Sequence, residues 1–438
     1  MKKIVLLVLS ILGGYADAAN LVDIYNQAAT HNATYQAAEA SYQAAGYGVP
    51  IARAALLPSL VLAADTTWNR QGPAAPGHYN SNGYTLTLTQ PLLAVGTWYT
   101  YSSAEASYKQ SAVTYAQALQ TLIMTVASNY FGVLEAQDQL RYAESNQQSL
   151  AEQLKQTDAQ YKVGLKALTD VQSTQASYDS AVAQTIADEN ALDNAKESLT
   201  AVIGMSAPPL NPLEQNFPLI KPNPASPDAW VSYGLENNLA LQSAALQSEI
   251  DKLGIKVAAT TGYLPTVSAV GTFAQTKSND ALPPPTGYST TGSGALSLSW
   301  NIFNGGSTAA TVKQNQYTYQ AGVASQEQTK RQTEAGVNEA YLNVLSDIGQ
   351  IQANQQAVIS NQASLKAMQA GYLVGTRTIV DVLTQQSNLF QSQQQYAESI
   401  YNYINDSLNL KLQAGTLAPA DITAVNGWLV TTPLNANS

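Results

Sequence analysis

Tyr161-Lys162-Val163-Gly164, with Asp170-Val171 six residues beyond the glycine, returns 211 residues later as Tyr372-Leu373-Val374-Gly375 with Asp381-Val382. Other landmarks return at nearly the same interval. Leu57-Pro58-Ser59 is matched by Leu264-Pro265-Thr266, and Leu88-Thr89-Gln90-Pro91-Leu92-Leu93 by Leu298-Ser299-Trp300-Asn301-Ile302-Phe303. Gly96-Thr97 is matched by Gly306-Ser307. The interval drifts only between 207 and 211, which describes a collinear duplication with small loop insertions. The expected organisation is a first repeat over 19–204, a connector over 205–229, a second repeat over 230–417, and a C-terminal segment and tail over 418–438. The connector holds Pro208, Pro209, Pro212, Pro218, Pro222, Pro224 and Pro227, too many for a helix or a central strand.

Residues 1–18 read as a secretory signal peptide. Lys2 and Lys3 precede an apolar run from Ile4 to Leu12, and Ala16-Asp17-Ala18 supplies a small-x-small cleavage site. That run is too short to cross a bilayer, and no later segment is apolar enough to do so as a helix. Any membrane span must therefore be built from strands.

Within each repeat the pattern reads helix, strand, strand, helix, helix. Val126, Val133, Leu140, Leu154 and Tyr161 share one seven-residue phase, interrupted by Gln147. The second repeat gives Val337, Val344, Ile351, Val358, Leu365 and Tyr372. The following segments continue it with Val171, Tyr178, Leu192, Leu199 and with Val382, Leu389, Tyr396, Tyr403, Leu410. A strict seven-residue stripe describes helices supercoiled around their neighbours. The outgoing helices are expected from Thr97 or Ser307, read as N-caps, to Tyr161 or Tyr372, a length of roughly 100 Å. The returns are expected over 168–202 and 378–414, with further helices over 20–54 and 228–260.

The strands show a period of two. Tyr84, Leu86 and Leu88 alternate with Thr85, Thr87 and Thr89, and Leu296, Leu298, Trp300 and Ile302 with Ser297, Ser299 and Asn301. Leu60, Leu62, Ala64 and Val267, Ala269, Phe273 supply partners. Residues 71–104 and 281–312 contain no Asp, Glu, Lys or Arg. Charge-free alternating strands in an exported chain point to a transmembrane sheet rather than a soluble β-subdomain. The loops over 70–83 and 275–294 are expected to be extracellular turns. Four strands cannot close a barrel and open edges cannot face lipid, so the chain must oligomerise. Two copies give a barrel filled by side chains, whereas three leave a lumen. The fold class expected is mixed α and β, a long coiled-coil helical barrel plus a transmembrane β-barrel completed by trimerisation.

Composition removes other classes. The chain has no cysteine, two isolated histidines (His31 in a polar helix, His78 in a loop), 11% charged residues and a net charge of −10. Cysteine chemistry, a histidine metal cluster and nucleic-acid binding by bulk charge are all disfavoured. No HExxH, Walker A or GxSxG pattern occurs. An enzyme is not expected, nor any cofactor or metal.

Gly371-Tyr372-Leu373-Val374-Gly375-Thr376-Arg377-Thr378-Ile379-Val380-Asp381-Val382-Leu383, with Thr169-Asp170-Val171-Gln172 in the first repeat, resembles the outer-membrane efflux protein family. Tyr401-Asn402-Tyr403-Ile404, Leu408-Asn409-Leu410 and Ala414-Gly415-Thr416-Leu417 continue the resemblance, which covers almost the whole mature chain. The absence of an N-terminal cysteine favours the branch without a lipid anchor. The resemblance implies a homotrimer in the outer membrane with a periplasmic helical tunnel. It also implies docking through periplasmic adaptor (membrane fusion) proteins to an inner-membrane pump of RND, ABC or MFS type.

By the same resemblance, Tyr372 and Arg377 tie the inner coil to Thr169 and Asp170 of the outer coil, holding the periplasmic end shut. A further glutamine partner of the family aligns with Ala159, beside Gln160. Asp381 forms a three-fold carboxylate ring at the constriction, and a second ring position is Thr384 here, implying weaker cation selectivity. Val163, Gly164, Leu165, Val374, Gly375 and Thr376 form the adaptor-contact tips. Read locally, Gly164 and Gly375 are turn glycines, and Thr378 with Asp381 makes a helix capping box. Trp68, Trp98, Tyr99 and Phe273 are candidates for interface girdles. The function expected is an exit duct for efflux or type I secretion. The competing readings are a trimeric coiled-coil surface adhesin, whose strands would lie only at the C-terminus, and a soluble periplasmic adaptor.

Overall fold

The computed structural model describes residues 18–71, 77–214, 217–278 and 287–430. The signal peptide and the last eight residues lie outside this set. The element order is α1 (Leu21–His31), α2 (Ala33–Ala54), β1 (Ser59–Gln71), β2 (Gly77–Leu93), α3 (Val95–Lys162) and α4 (Leu168–Ile203). It then repeats as α5 (Pro227–Asn237), α6 (Leu239–Tyr263), β3 (Thr266–Ser278), β4 (Tyr288–Ser299), α7 (Ser307–Leu373) and α8 (Ile379–Gln413), and closes with α9 (Pro419–Asn426). The chain divides into two compact units. One contains Ala38–Ala116 and Leu239–Arg331; the other contains Met1–Ala37, Gln117–Asn238 and Gln332–Ser438.

The first unit carries the sheet. Its order is β1-β2-β3-β4, antiparallel throughout, so the two repeats join where β2 pairs with β3. Residues directly opposite each other share a face. The register Leu60↔Leu88, Leu62↔Leu86, Leu86↔Phe273, Val267↔Leu298 and Ala269↔Leu296 gathers the large apolar side chains on one face, together with Trp68 and Tyr288. The other face carries Thr85, Thr87, Thr89, Thr272, Ser293, Ser297 and their neighbours. Tyr84 sits on the apolar face, and its hydroxyl donates to Gln275 Oε1 at 2.9 Å. β1 and β4 pair on one side only, leaving both edges of the sheet open.

Three strand expectations change. The strands run into the segments read as loops, so that Tyr79–Gly83 pair with β1, and Tyr288–Gly294 with β3. Cross-strand bonds such as Thr66 Oγ1 to Asn80 Oδ1 (3.0 Å) and Asn69 Nδ2 to Ser81 Oγ (3.0 Å) extend the ladder with polar residues. His78 is accordingly in β2, opposite Arg70, rather than in a loop. Trp300 and Ile302 fall beyond the end of β4, where the Trp300 indole donates to the Tyr263 carbonyl at 3.1 Å.

The helices also differ in detail. The helix expected over 20–54 breaks at Asn32, and that over 228–260 breaks at Asn238; both residues are extended. Each amide compensates the break by bonding a carbonyl near the end of a return helix. Asn32 Nδ2 donates to Val202 O at 3.0 Å and Asn238 Nδ2 to Gln413 O at 2.9 Å. Asn32 Oδ1 also accepts from Tyr35 N–H at 3.0 Å, restarting the helix as an N-cap. Thr97 lies inside α3 rather than capping it. α7 is capped by Asn304, whose Oδ1 accepts from Thr308 N–H at 3.3 Å, rather than by Ser307.

The second unit is helical. Its core packs Leu21 and Ile24 of α1, Ile123, Tyr130 and Phe131 of α3, Leu199 of α4, Val337 of α7, Ile404 and Leu408 of α8, and Ile422 of α9. Buried tyrosines pin the proline-rich connector to this core. The Tyr130 hydroxyl donates to Asn211 O at 2.9 Å. The Tyr403 hydroxyl donates to Ile220 O at 3.0 Å and accepts from Ile220 N–H at 2.8 Å. Each such bond is worth about 1 kcal/mol and keeps a buried phenol satisfied. Short bridges, Ala19 with Leu210 and Leu213 with Leu429, tie the connector to both ends of the described chain.

Candidate functional site

The candidate site is the pair of tips where α3 turns into α4 and α7 into α8. Both turns have the same backbone. Gly164 has φ +80° and its N–H bonds Tyr161 O at 2.9 Å; Gly375 has φ +79° and its N–H bonds Tyr372 O at 3.2 Å. Left-handed backbone of this kind favours glycine. It leaves Val163, Leu165, Val374 and Thr376 exposed at the two ends.

Beyond the turns the two halves diverge. Thr378 caps α8 in a complete capping box. Its backbone N–H and hydroxyl donate to Asp381 Oδ2 at 2.9 and 3.0 Å, and its hydroxyl accepts from Asp381 N–H at 3.2 Å. The Thr378 backbone N–H, then its hydroxyl, hold the Asp381 carboxyl below the usual carboxylate range, and Arg377 adds to this. The residue 211 positions before Thr378 is Ala167, which offers α4 no side-chain cap. Asp170, the counterpart of Asp381, therefore has no hydroxyl to bind at the same place.

Tyr372 is 4% exposed, and its hydroxyl is buried without a hydrogen-bond partner. It packs with Leu365, Ile379, Val382 and Leu389 in a small apolar cluster belonging to α7 and α8. Its ring lies under the first tip, with Lys166 Nζ 3.8 Å from the ring centroid. Arg377 is exposed and makes no ion pair with Asp170 within the chain. The fold thus brings Tyr372 to the first tip, but through Lys166 rather than through Thr169 or Asp170. Sequence reasoning did not single out Lys166. The signal was available, because Lys166 stands 211 residues before Arg377.

Away from the tips, a groove of about 480 Å³ opens between α3, α4 and α8, lined by Asn146, Leu150, Ser180, Gln386 and Phe390. Gln386 Nε2 bridges it to Asn146 Oδ1 at 3.1 Å. Across the other coil, Gln385 Nε2 donates to Asn361 Oδ1 at 3.0 Å and Asn354 Nδ2 to Gln395 O at 3.2 Å. Neutral amides, rather than ion pairs, set the register between these helices. Of the girdle candidates, Trp68 and Phe273 lie on the apolar face of the sheet, whereas Trp98 and Tyr99 belong to α3. His31 bonds locally to Thr30 Oγ1 and Gln27 O. Among the described residues, no group of three or more acidic, His or Cys side chains is placed to hold a metal ion, and no helix is long and apolar enough to cross a membrane.

A half-amphipathic sheet with open edges, set between long helices in each of two repeats, is the fold of outer-membrane channel proteins. The sequence profile of the family described as "Outer membrane efflux protein" matches residues 24–205 and 230–416, and the chain belongs to that family. It is similar to "Outer membrane protein TolC" of Escherichia coli, with 35% identity over 100% of this chain and 91% of that one. It is also similar to "Alkaline protease secretion protein AprF" of Pseudomonas aeruginosa, with 27% identity over 94% of this chain and 87% of that one. In structure it resembles the Campylobacter jejuni CmeC outer membrane channel, with a TM-score of 0.79 and 17% identity, covering 94% and 90% of the two chains. The chain is an outer-membrane protein.

Proposed function

We propose that three copies of this chain form the outer-membrane exit duct of an efflux and type I secretion system, open to the periplasm through a helical tunnel. The observation that carries the reading is the sheet. One face carries the large apolar side chains, the other is mainly Ser and Thr with Val61 and Val270 among them, and both edges are unpaired among the described residues. Lipid can cover the first face and water the second, but neither can satisfy the edges. Pairing β4 of one copy with β1 of the next closes twelve strands around a lumen. The strands interrupt the helices twice, which weighs against a coiled-coil adhesin anchored at its C-terminus.

The reading assigns the duct no chemistry of its own, in keeping with relatives described as an outer membrane protein, a secretion protein and an outer membrane channel. Energy comes from an inner-membrane pump, reached through a periplasmic adaptor that contacts Val163-Gly164-Leu165 and Val374-Gly375-Thr376. Between pumping cycles the tips close the tunnel. We assign Arg377, exposed at its own tip, to bond Thr169 or Asp170 of a neighbouring copy, and Asp381 to line the constriction. A guanidinium–carboxylate bond is directional and strong enough to bias a bistable coil. Single-channel conductance in planar bilayers tests this. Wild type should conduct weakly and Arg377→Ser clearly more. A folded, inserted protein that never conducts would sink the duct, and an open wild-type channel indifferent to the substitution would remove the gate.

A further inference from the structure

We propose that Lys166 is a latch that holds the first tip onto the second coil through the ring of Tyr372. The proposal rests on the gated-duct reading and names a residue that regulates it. Four observations carry it. Lys166 Nζ stands 3.8 Å from the Tyr372 centroid, well inside the range at which a cation is attracted to a ring face. The Tyr372 hydroxyl is buried without a partner, so the contact across the tips is made by the ring and not by the hydroxyl. The counterpart ring, Tyr161, is 40% exposed, so the seven-residue stripe does not by itself bury a tyrosine at this position. Finally, Lys166 occupies the place in the first repeat that Arg377 occupies in the second, two residues beyond the turn glycine.

The physical sense is that the two repeats present equivalent cations and use them differently. Arg377 is exposed and lends its charge to Asp381 of its own tip. Lys166 turns back over its own chain, where its ammonium sits over the ring of Tyr372, itself a member of the apolar cluster with Leu365, Ile379 and Val382. Opening the second coil away from the first separates this pair and returns the ammonium to water. The latch therefore resists opening through a charge on a π face, and needs no carboxylate partner.

The test compares five purified, detergent-extracted variants with wild type by single-channel conductance, each first checked for helical content and assembly. Lys166→Met keeps the apolar stem and removes the charge. It should raise the open-to-closed ratio by about 3- to 30-fold, the range for a partly desolvated cation–ring contact. Lys166→Arg should behave as wild type. Tyr372→Phe should also be silent, because the ring remains, whereas Tyr372→Leu should open the channel as Lys166→Met does. The fifth variant is Arg377→Ser. If it opens the channel and Lys166→Met does not, the gate stands and the latch is wrong. If Lys166→Arg opens as much as Lys166→Met, or Tyr372→Phe as much as Tyr372→Leu, the contact is not cation on ring and the proposal is overturned. If no variant opens, the gate itself fails and the latch falls with it.

Discussion

The two coils of the helical unit come from one duplicated pattern, yet they are held together differently. In the second coil the stripe is buried to its end, with Leu365, Tyr372, Ile379, Val382 and Leu389 forming an apolar cluster of their own. In the first coil the buried positions toward the tip are mostly small or polar, Ala143, Thr157, Thr174, Ala181 and Thr185, with Leu150 a large apolar exception. The apolar residues that repeat the pattern are only half-buried at Leu154, Val171 and Tyr178, and exposed at Tyr161. Leu168 is 50% exposed where Ile379 is 2% exposed. The cohesion of the second coil at its tip is therefore internal, while that of the first depends on what covers it. A body with an internal core and a few polar ties at its tip is a suitable element for a gate. An exposed apolar tip such as Val163, Leu165 and Leu168 is a suitable surface for a partner.

The sharpest way to break this contrast is to truncate the matching residues. Ile379→Ala should cost about 2–4 kcal/mol, by loss of burial and a residual cavity. Leu168→Ala should stay within about 0.5 kcal/mol, as exposed substitutions do. Hydrogen exchange of the α8 and α4 amides near the tips reads both, and equal costs would remove the distinction. A second contrast lies nearer the core of the same coils. The second coil sets Asp347 against Asp406, where the first repeat has Ala136 and Ala195. Burial, then the neighbouring Asp406 carboxylate, pushes Asp347 up to about 6, and burial also raises Asp406.

A folded-state pKa raised above the unfolded value near 4 means that the folded chain holds the extra proton. The associated stability is present below about pH 4 and lost as pH rises through about 6. Asp347→Asn should therefore raise stability by about 1–2 kcal/mol near pH 8 and leave it unchanged near pH 4. Melting curves of the two proteins at both values decide it; a pH-independent difference would mean that the carboxylates do not share the proton. The smallest effect concerns the caps. Thr378→Ala should cost about 1 kcal/mol, and Ala167→Thr should add about 0.5–1 kcal/mol to α4, since Asp170 already stands where a capping box needs it. Exchange rates in the first turns of α4 and α8 report both changes.

The sequence alone was enough for the duplication, for the long helices with their seven-residue stripe, and for four strands with one apolar and one hydroxyl-rich face. These are local periodicities, set by how a helix or strand presents successive side chains, and they persist whatever the element packs against. The residues also carried the resemblance to the outer-membrane efflux family, through the turn glycines and the Thr378–Asp381 cap. What the tertiary structure alone decided is which partner each element meets. Asn32 and Asn238 break helices because return-helix carbonyls lie within reach of their amides. Tyr372 is buried and Tyr161 exposed because only one of them lies beneath a neighbouring tip. Lys166 and Asp347 acquire their properties from residues more than fifty positions away, Tyr372 and Asp406. No periodicity encodes such pairings, since the free energy of a charge or a buried hydroxyl depends on what the folded chain places opposite it.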